Sequence, residues 1–178
     1  MAASGLFLFD DPDHGPRALP VLRRMPTLRG GPIRVHGRPG LRDRLGPVHA
    51  GSFLRERRIA FDCSGSEFAR IFAHEAAHFI WLRLGNAKRR SYEDLIRVER
   101  GRGELGWSAE WRKQGLRPDD VADRTRRWRE YCCESFCDTA GWLYSGRKRH
   151  PEFTLPESLR RRRARWFDET LGRGPLSI

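Results

Sequence analysis

Two histidines and a glutamate stand at His74-Glu75-Ala76-Ala77-His78, inside the apolar run from Phe68 to Leu84. On a helix of 3.6 residues per turn, side chains four apart project from one face about one turn apart, so both imidazoles can bind a single tetrahedral Zn²⁺. That spacing supplies half a metal site. Glu75 follows the first His, beside the metal rather than on it, where a carboxylate can take a proton from a zinc-bound water. Ile71, Phe72, Phe79, Ile80, Trp81 and Leu84 make this helix apolar around most of its circumference, Ser64 with Glu67 fits a capping box, and Gly85 fits a C-terminal stop. A helix so clothed is buried. Its two His and its Glu then need partners, because an unpaired buried charge neutralises or destabilises the fold. The plain alternative is a core helix with two incidental histidines.

A third ligand must come from elsewhere. The extended pattern with a Gly and a third His is absent, since Trp81 and Leu84 occupy those places. Downstream, Tyr131 to Tyr144 carries Glu134 and Asp138, four apart and on one helical face. Two like charges at that spacing repel unless something positive lies between them. A zinc bound by Glu134, with Asp138 accepting the free N–H of a ligand His, satisfies both. A solvated helix face paired with Arg127 and Arg124 satisfies them as well. At these positions the chain resembles the gluzincin metallopeptidases, whose pattern is HExxH followed on a later helix by Glu-x-x-x-Asp. The resemblance implies zinc-dependent hydrolysis of peptide bonds, with His74, His78 and Glu134 as Zn²⁺ ligands, Glu75 as base and Asp138 as the partner that holds His74. The match covers the middle of the chain only. The Asn-Ala-x-x-Glu run around the third ligand and the Gly-x-Met-x-Asn signature of the aminopeptidases are missing, which argues for a minimal endopeptidase-like version. Such a mechanism needs a phenol or imidazole to stabilise the oxyanion, and Tyr131, Tyr144 and His150 are candidates, each with a purely structural alternative.

At 178 residues the chain suits one domain able to bury a core without staples. Aromatic content of 11%, with six Trp, exceeds that of a disordered chain, although a mean hydropathy of -0.70 marks an unusually polar surface. A net charge of +12 implies attraction to polyanions. Leu6 to Phe9 is too short for a signal-peptide core and nothing approaches a membrane span, so a cytoplasmic protein is expected. Of the four cysteines, Cys132, Cys133 and Cys137 lie within six residues of each other, which suits reduced thiols rather than a disulfide framework with Cys63. Cys133 and Cys137 are spaced to hold a metal, or to pack as small buried residues around the site.

The fold expected is α+β: a small antiparallel or mixed sheet packed on the His-Glu helix, with a mostly helical C-terminal half. Residues 1–47 hold seven of the eleven prolines and form a Pro/Gly/Arg-rich, partly irregular segment; residues 48–178 form a single metallopeptidase-like domain. Within the first segment Leu6 to Phe9 and Ile33 to Val35 are strand candidates, and Arg17 to Leu28 suits a helix broken at Pro20 and Pro26. His49 to Leu54 and Arg58 to Asp62 suit a hairpin leading into the His-Glu helix. Its first strand is the one free to lie at a sheet edge, where an extended peptide can add as a further strand, bonded by either Gly51 or Ser52. Beyond Gly85, Lys88-Arg-Arg90 suits a loop and Tyr92 to Arg100 a helix. Glu104 to Arg112 suits a loop with one turn, bringing Trp107 and Trp111 near the cleft or into a core gap. Pro118 opens a long helix to Ser145, and Thr154 caps a last one through Leu171. In that last helix Arg160, Arg161, Arg163 and Arg165 cannot share one face and make a basic rod. This run supports the alternative of a zinc-stabilised, basic nucleic-acid-binding or regulatory protein, although no helix-turn-helix, zinc-finger or stacking motif accompanies it.

Overall fold

The computed structural model describes residues 5–43, 46–62 and 65–178. In chain order these form β1 (Phe7–Phe9), α1 (His14–Arg24), β2 (Leu28–Arg29), β3 (Ile33–Gly37), β4 (Ala50–Phe53), β5 (Arg58–Phe61), a 3₁₀ turn (Gly65–Glu67), α2 (Phe68–Arg83) and α3 (Asn86–Arg97). There follow α4 (Trp107–Gln114), α5 (Pro118–Ala122), α6 (Arg126–Tyr144), α7 (Glu157–Leu171) and β6 (Leu176–Ser177). The fold is the expected small mixed sheet with a helical C-terminal half. Its strand order is β1-β3-β5-β4, with β1, β3 and β5 parallel and β4 antiparallel to β5. Residues 7–37 thus supply two strands of the sheet that carries the hairpin, and the sheet spans the sequence boundary expected at residue 47. A separate parallel pair, β2 with β6, brings the C-terminal residues back to the first part of the chain.

The core lies where Phe7 and Phe61 from the sheet meet Phe68 and Phe72 of α2, their rings 5.1 to 6.4 Å apart. His14 of α1 stacks on Phe68 at 4.7 Å, closing that end. The expected break at Pro20 does not occur. The helix runs on to Arg24, and Met25 turns extended (φ -72°, ψ 153°), the conformation that a residue before proline prefers.

Four other expectations are corrected. Lys88-Arg-Arg90 lies within α3 rather than in a loop, because Arg89 donates to the carbonyl oxygens of Trp81 at 2.8 and 3.0 Å and of Leu82 at 2.6 Å, satisfying the free end of α2. The helix expected from Pro118 is two. Arg124 adopts φ 50°, and Thr125 starts α6 with its hydroxyl held by Asp120 at 2.6 Å. The basic rod also fails at one position, since Arg163 is fully buried. Its Nε donates to Glu99 at 2.8 Å and its Nη1 to Glu104 at 2.9 Å and Ser135 at 3.0 Å. The capping box at Ser64, and Cys63, lie outside the described residues; Thr154 bonds the backbone N–H of Glu104 rather than capping α7.

α2 and α6 pack along the face of α6 that carries Glu134, Cys137, Asp138 and Gly141. A Cβ on Gly141 would stand 3.2 Å from the Arg70 carbonyl oxygen and 3.8 Å from the Cβ of His74, so glycine lets the two backbones approach. No helix among the described residues is long and apolar enough to cross a membrane.

Truncating one partner of a buried ion pair strands the others without solvent, typically at about 3–5 kcal/mol. Arg163→Ala is therefore expected to lower unfolding stability by roughly that amount, whereas Arg161→Ala, whose partner Glu157 is exposed, should change it by less than about 1 kcal/mol. Urea titrations of the two variants compare them directly, and equal losses would contradict an internal role for Arg163.

Candidate metal centre

α2 directs His74 and His78 toward α6, their rings 5.0 Å apart and nearly perpendicular. His74 Nε2 and His78 Nε2 lie 3.2 Å from one another, and Glu134 Oε2 lies 3.4 Å from the first and 3.8 Å from the second. Cys137, one turn along α6, joins the group. The ligand atoms of His74, His78 and Cys137 all fall within 4.8 Å of one another, a cluster able to hold a metal ion. Glu134 and Asp138 therefore face α2 and not solvent. Arg124, a partner of these carboxylates in the alternative of a solvated face, pairs with Glu93 instead, and Arg112 places its Nε 3.9 Å from Glu134.

Each imidazole is held from behind. His74 Nδ1 lies 2.8 Å from Asp138 Oδ1. The other oxygen of Asp138 accepts the backbone N–H of Ala109 at 2.9 Å, tying the first turn of α4 to the centre. This contact needs Gly106, because a Cβ there would lie 2.2 Å from the Asp138 carboxyl carbon. His78 Nδ1 meets the Cys133 thiol at 3.5 Å. Glu75 is buried beside the pair, and Ser52 Oγ on β4 lies 2.6 Å from its Oε2 and 2.9 Å from its carbonyl oxygen, one hydroxyl proton serving the two acceptors.

The charges interlock. Burial alone would raise the Glu134 carboxyl, but His78, the hydrogen bond from His74 and Arg112 outweigh it and bring its pKa down to about 2. Burial works against a charged His78 ring, yet Cys133 and Glu134 push its pKa up to about 9. His74 is likewise raised well above the usual imidazole range, Asp138 and Glu134 overcoming burial. The S–H of Cys137, against burial and with help from His78, draws the Cys133 thiol down to about 6, while burial pushes Cys137 far up.

A two-lobed cleft opens over this group. One lobe, of about 340 Å³, runs past Arg70, Ile71 and Glu152; the other, of about 370 Å³, runs past His78, Glu134, Trp111 and Arg112. Pro47, Val48, Ala50, His74, Glu75, Trp107 and Ser108 line both. A larger concavity of about 850 Å³, bordered by Arg24, Arg147, Lys148, Arg149 and Arg160, lies on other residues altogether.

The three candidates for oxyanion stabilisation do not line the cleft. Tyr131 is buried with its hydroxyl donating to Glu104 at 2.5 Å, Tyr144 packs on Phe167, and His150 turns its Nε2 to Glu67 at 3.3 Å. Apolar and charged partners elsewhere claim all three. Of the two cysteines expected to hold a metal or to pack around the site, Cys137 lies in the cluster and Cys133 stands behind His78. Sequence reasoning missed Ser108, Arg112 and the hold of Ser52 on Glu75, none of which carried a signal. Comparisons with protein-family models, curated proteins and solved structures returned no match for this chain.

With its pKa raised to about 9, His78 carries a proton at neutral pH in the metal-free protein, and a metal ion must displace it. Apparent metal affinity should therefore climb from pH 6.5 to about 9, with protons released on binding. Calorimetry in two buffers of different ionisation enthalpy measures that release; a pH-independent affinity would contradict it.

Proposed function

We propose that this chain is a zinc-dependent metallopeptidase that cleaves peptide bonds internally, with Zn²⁺ held by His74, His78 and Glu134. The observation that carries the reading is the triangle of donor atoms. Around a tetrahedral Zn²⁺ with bonds of 2.0–2.1 Å, donors stand about 3.3 Å apart. The edges here are 3.2, 3.4 and 3.8 Å. Glu134 suits the third place because its Oε2 closes that triangle and its carboxylate is already ionised, whereas Cys137, whose thiol burial keeps protonated, would have to release a proton to bind. Asp138 and Cys133 serve the rings in the same way. By engaging each Nδ1 they leave each Nε2 lone pair turned into the triangle.

Zn²⁺, when bound, supplies Lewis acidity, polarising a carbonyl and lowering the pKa of a water toward about 7. Glu75 takes the proton of the attacking water and returns it to the leaving amine. Ser52 fixes the carboxylate for that exchange, and burial keeps bulk water from competing for it. A cleft with a lobe on each side of Glu75 leaves room for chain on both sides of the scissile bond, which favours an endopeptidase. A second reading, a basic nucleic-acid-binding protein whose zinc staples the fold, draws on the cation-lined concavity and on Trp142 beside it. It leaves Glu75 and its Ser52 tether without a use.

Glu75→Gln should keep its zinc by elemental analysis while turnover of a peptide library falls by about 10²–10⁴-fold. In the same assay Glu134→Ala should lose zinc, Cys137→Ser should retain it, and Asp138→Asn should weaken it by roughly 10–100-fold. Undiminished turnover by Glu75→Gln would remove Glu75 from the mechanism, and zinc loss confined to Cys137→Ser would exchange the third ligand.

The edge of β4 is where a peptide would lie. Among the described residues β4 pairs only with β5, and its residues border both lobes. Asp62 N–H donates to His49 O at 2.8 Å, which sets the alternation: Gly51 bonds inward to Ala60, while Ala50 and Ser52 turn their N–H groups outward. Ala50→Pro should then raise KM with zinc and fold retained, whereas Gly51→Pro should lower stability by removing a ladder bond. Ala50 is the cleaner probe because Ser52 also holds Glu75. An unchanged KM for a folded Ala50→Pro would rule out strand addition.

A further inference from the structure

Burying aromatic surface is among the strongest gains available to a fold, so a large ring left in solvent calls for a reason. Trp107 is 63% exposed and Trp111 40% exposed, one turn apart on α4. Among the described residues the remaining exposed large apolar side chains are aliphatic and scattered: Leu8, Leu19, Leu82 and Val98. The two indoles lie nearly parallel, centroids 6.1 Å apart with planes inclined by 18°. A ring sandwiched between them would need planes about 7 Å apart, two van der Waals spacings, so an occupant rests on the shelf and does not enter it.

The shelf belongs to the cleft. Both indoles line the lobe that holds His78 and Glu134, and only Trp107 reaches the other. It is also fixed relative to the metal centre. The Trp107 backbone N–H donates to Glu152 at 3.0 Å, and the Ala109 N–H donates to the carboxylate that holds His74. Arg112 bonds Glu130 at 2.9 Å and places its guanidinium 5.4 Å from the Trp111 ring centre, covering that indole on one side. What stays open is a flat, apolar surface, on a backbone anchored to the metal centre, within the proposed substrate cleft.

We infer that Trp107 and Trp111 form the binding face for one aromatic side chain of the bound peptide, on the His78 side of the scissile bond. The inference rests on the peptidase reading and names its substrate class: peptides with Phe, Tyr or Trp at one fixed position. Leucine, apolar but not flat, is accepted less well, and so is glutamate, whose charged carboxylate would lose hydration against an apolar surface.

The test uses blocked hexa-alanine peptides in which a single Phe, Leu or Glu is moved through every position. Binding is measured calorimetrically to zinc-loaded full-length Glu75→Gln protein, and cleavage is measured with the unaltered protein. At one position Phe should bind about tenfold more tightly than Ala, the scale of one stacked aromatic contact with its burial. The preference should fall within about twofold in Trp107→Ala and in Trp111→Ala, and largely persist in Trp107→Phe and Trp111→Phe, with zinc content constant throughout. A Phe preference that survives both alanine substitutions would overturn the shelf. So would cleavage of the peptides without a Phe preference at any position, and either result leaves the peptidase reading standing. Neither binding nor cleavage of any peptide would overturn both together.

Discussion

One carboxylate joins the parts of this molecule that matter to its chemistry. Asp138 presents one oxygen to His74 at 2.8 Å and the other to the N–H of Ala109 at 2.9 Å. It thereby binds α2, α4 and α6 at a single buried point. Because it is almost fully excluded from water, each of its bonds acts in a medium of low polarity where alternatives are scarce. The orientation of the first histidine, the position of the two indoles and the close approach at Gly106 all follow from that group being in place. The second histidine is anchored differently, through sulfur, so the two rings rest on partners of unlike hardness.

A second buried polar network supports the first at a distance. Arg163, Glu99, Glu104, Tyr131 and Ser135 tie α7 and α6 to the connection between α3 and α4. Glu104 begins the connection that leads through Gly106 into α4, so the same chain segment is held by the arginine network at one end and by Asp138 at the other. A loop containing several glycines is in this way pinned at both ends, with Leu105 between them packed on Phe153 and Leu155. That is why a short aromatic helix can stand at the cleft with its rings exposed.

Much of this was legible in the sequence because it depends on short-range periodicity. The spacing of His74 to His78 and of Glu134 to Asp138 fixes which side chains share a helical face, and the hairpin from residue 49 to 62 follows alternation and turn residues. What could not be read depends on contacts far apart in the chain. Ser52 meets Glu75 across 23 residues and Arg163 meets Glu104 across 59, and neither residue type carries a signal for its partner. The Lys88 to Arg90 run resembled a loop because three cations in sequence look solvated, whereas Arg89 spends its donors on carbonyls of the preceding helix. Tyr131 and Tyr144 were candidates on chemical type alone, and burial decides against such candidates in a way that spacing does not.

Gly141 gives the centre its dimensions. It sits one turn beyond Asp138 on α6, where the helix meets the carbonyl of Arg70 and the Cβ of His74. The distance between the two helix axes is therefore fixed by a residue that has no side chain, and every donor atom on α6 inherits that distance. Helices move in discrete steps of 1.5 Å and 100° per residue, while a coordination shell tolerates only a few tenths of an ångström. The tight crossing thus works as a mechanical stop: the two helices can bring their donors together in one register, and a slip of a single residue on either would leave none of them facing the centre.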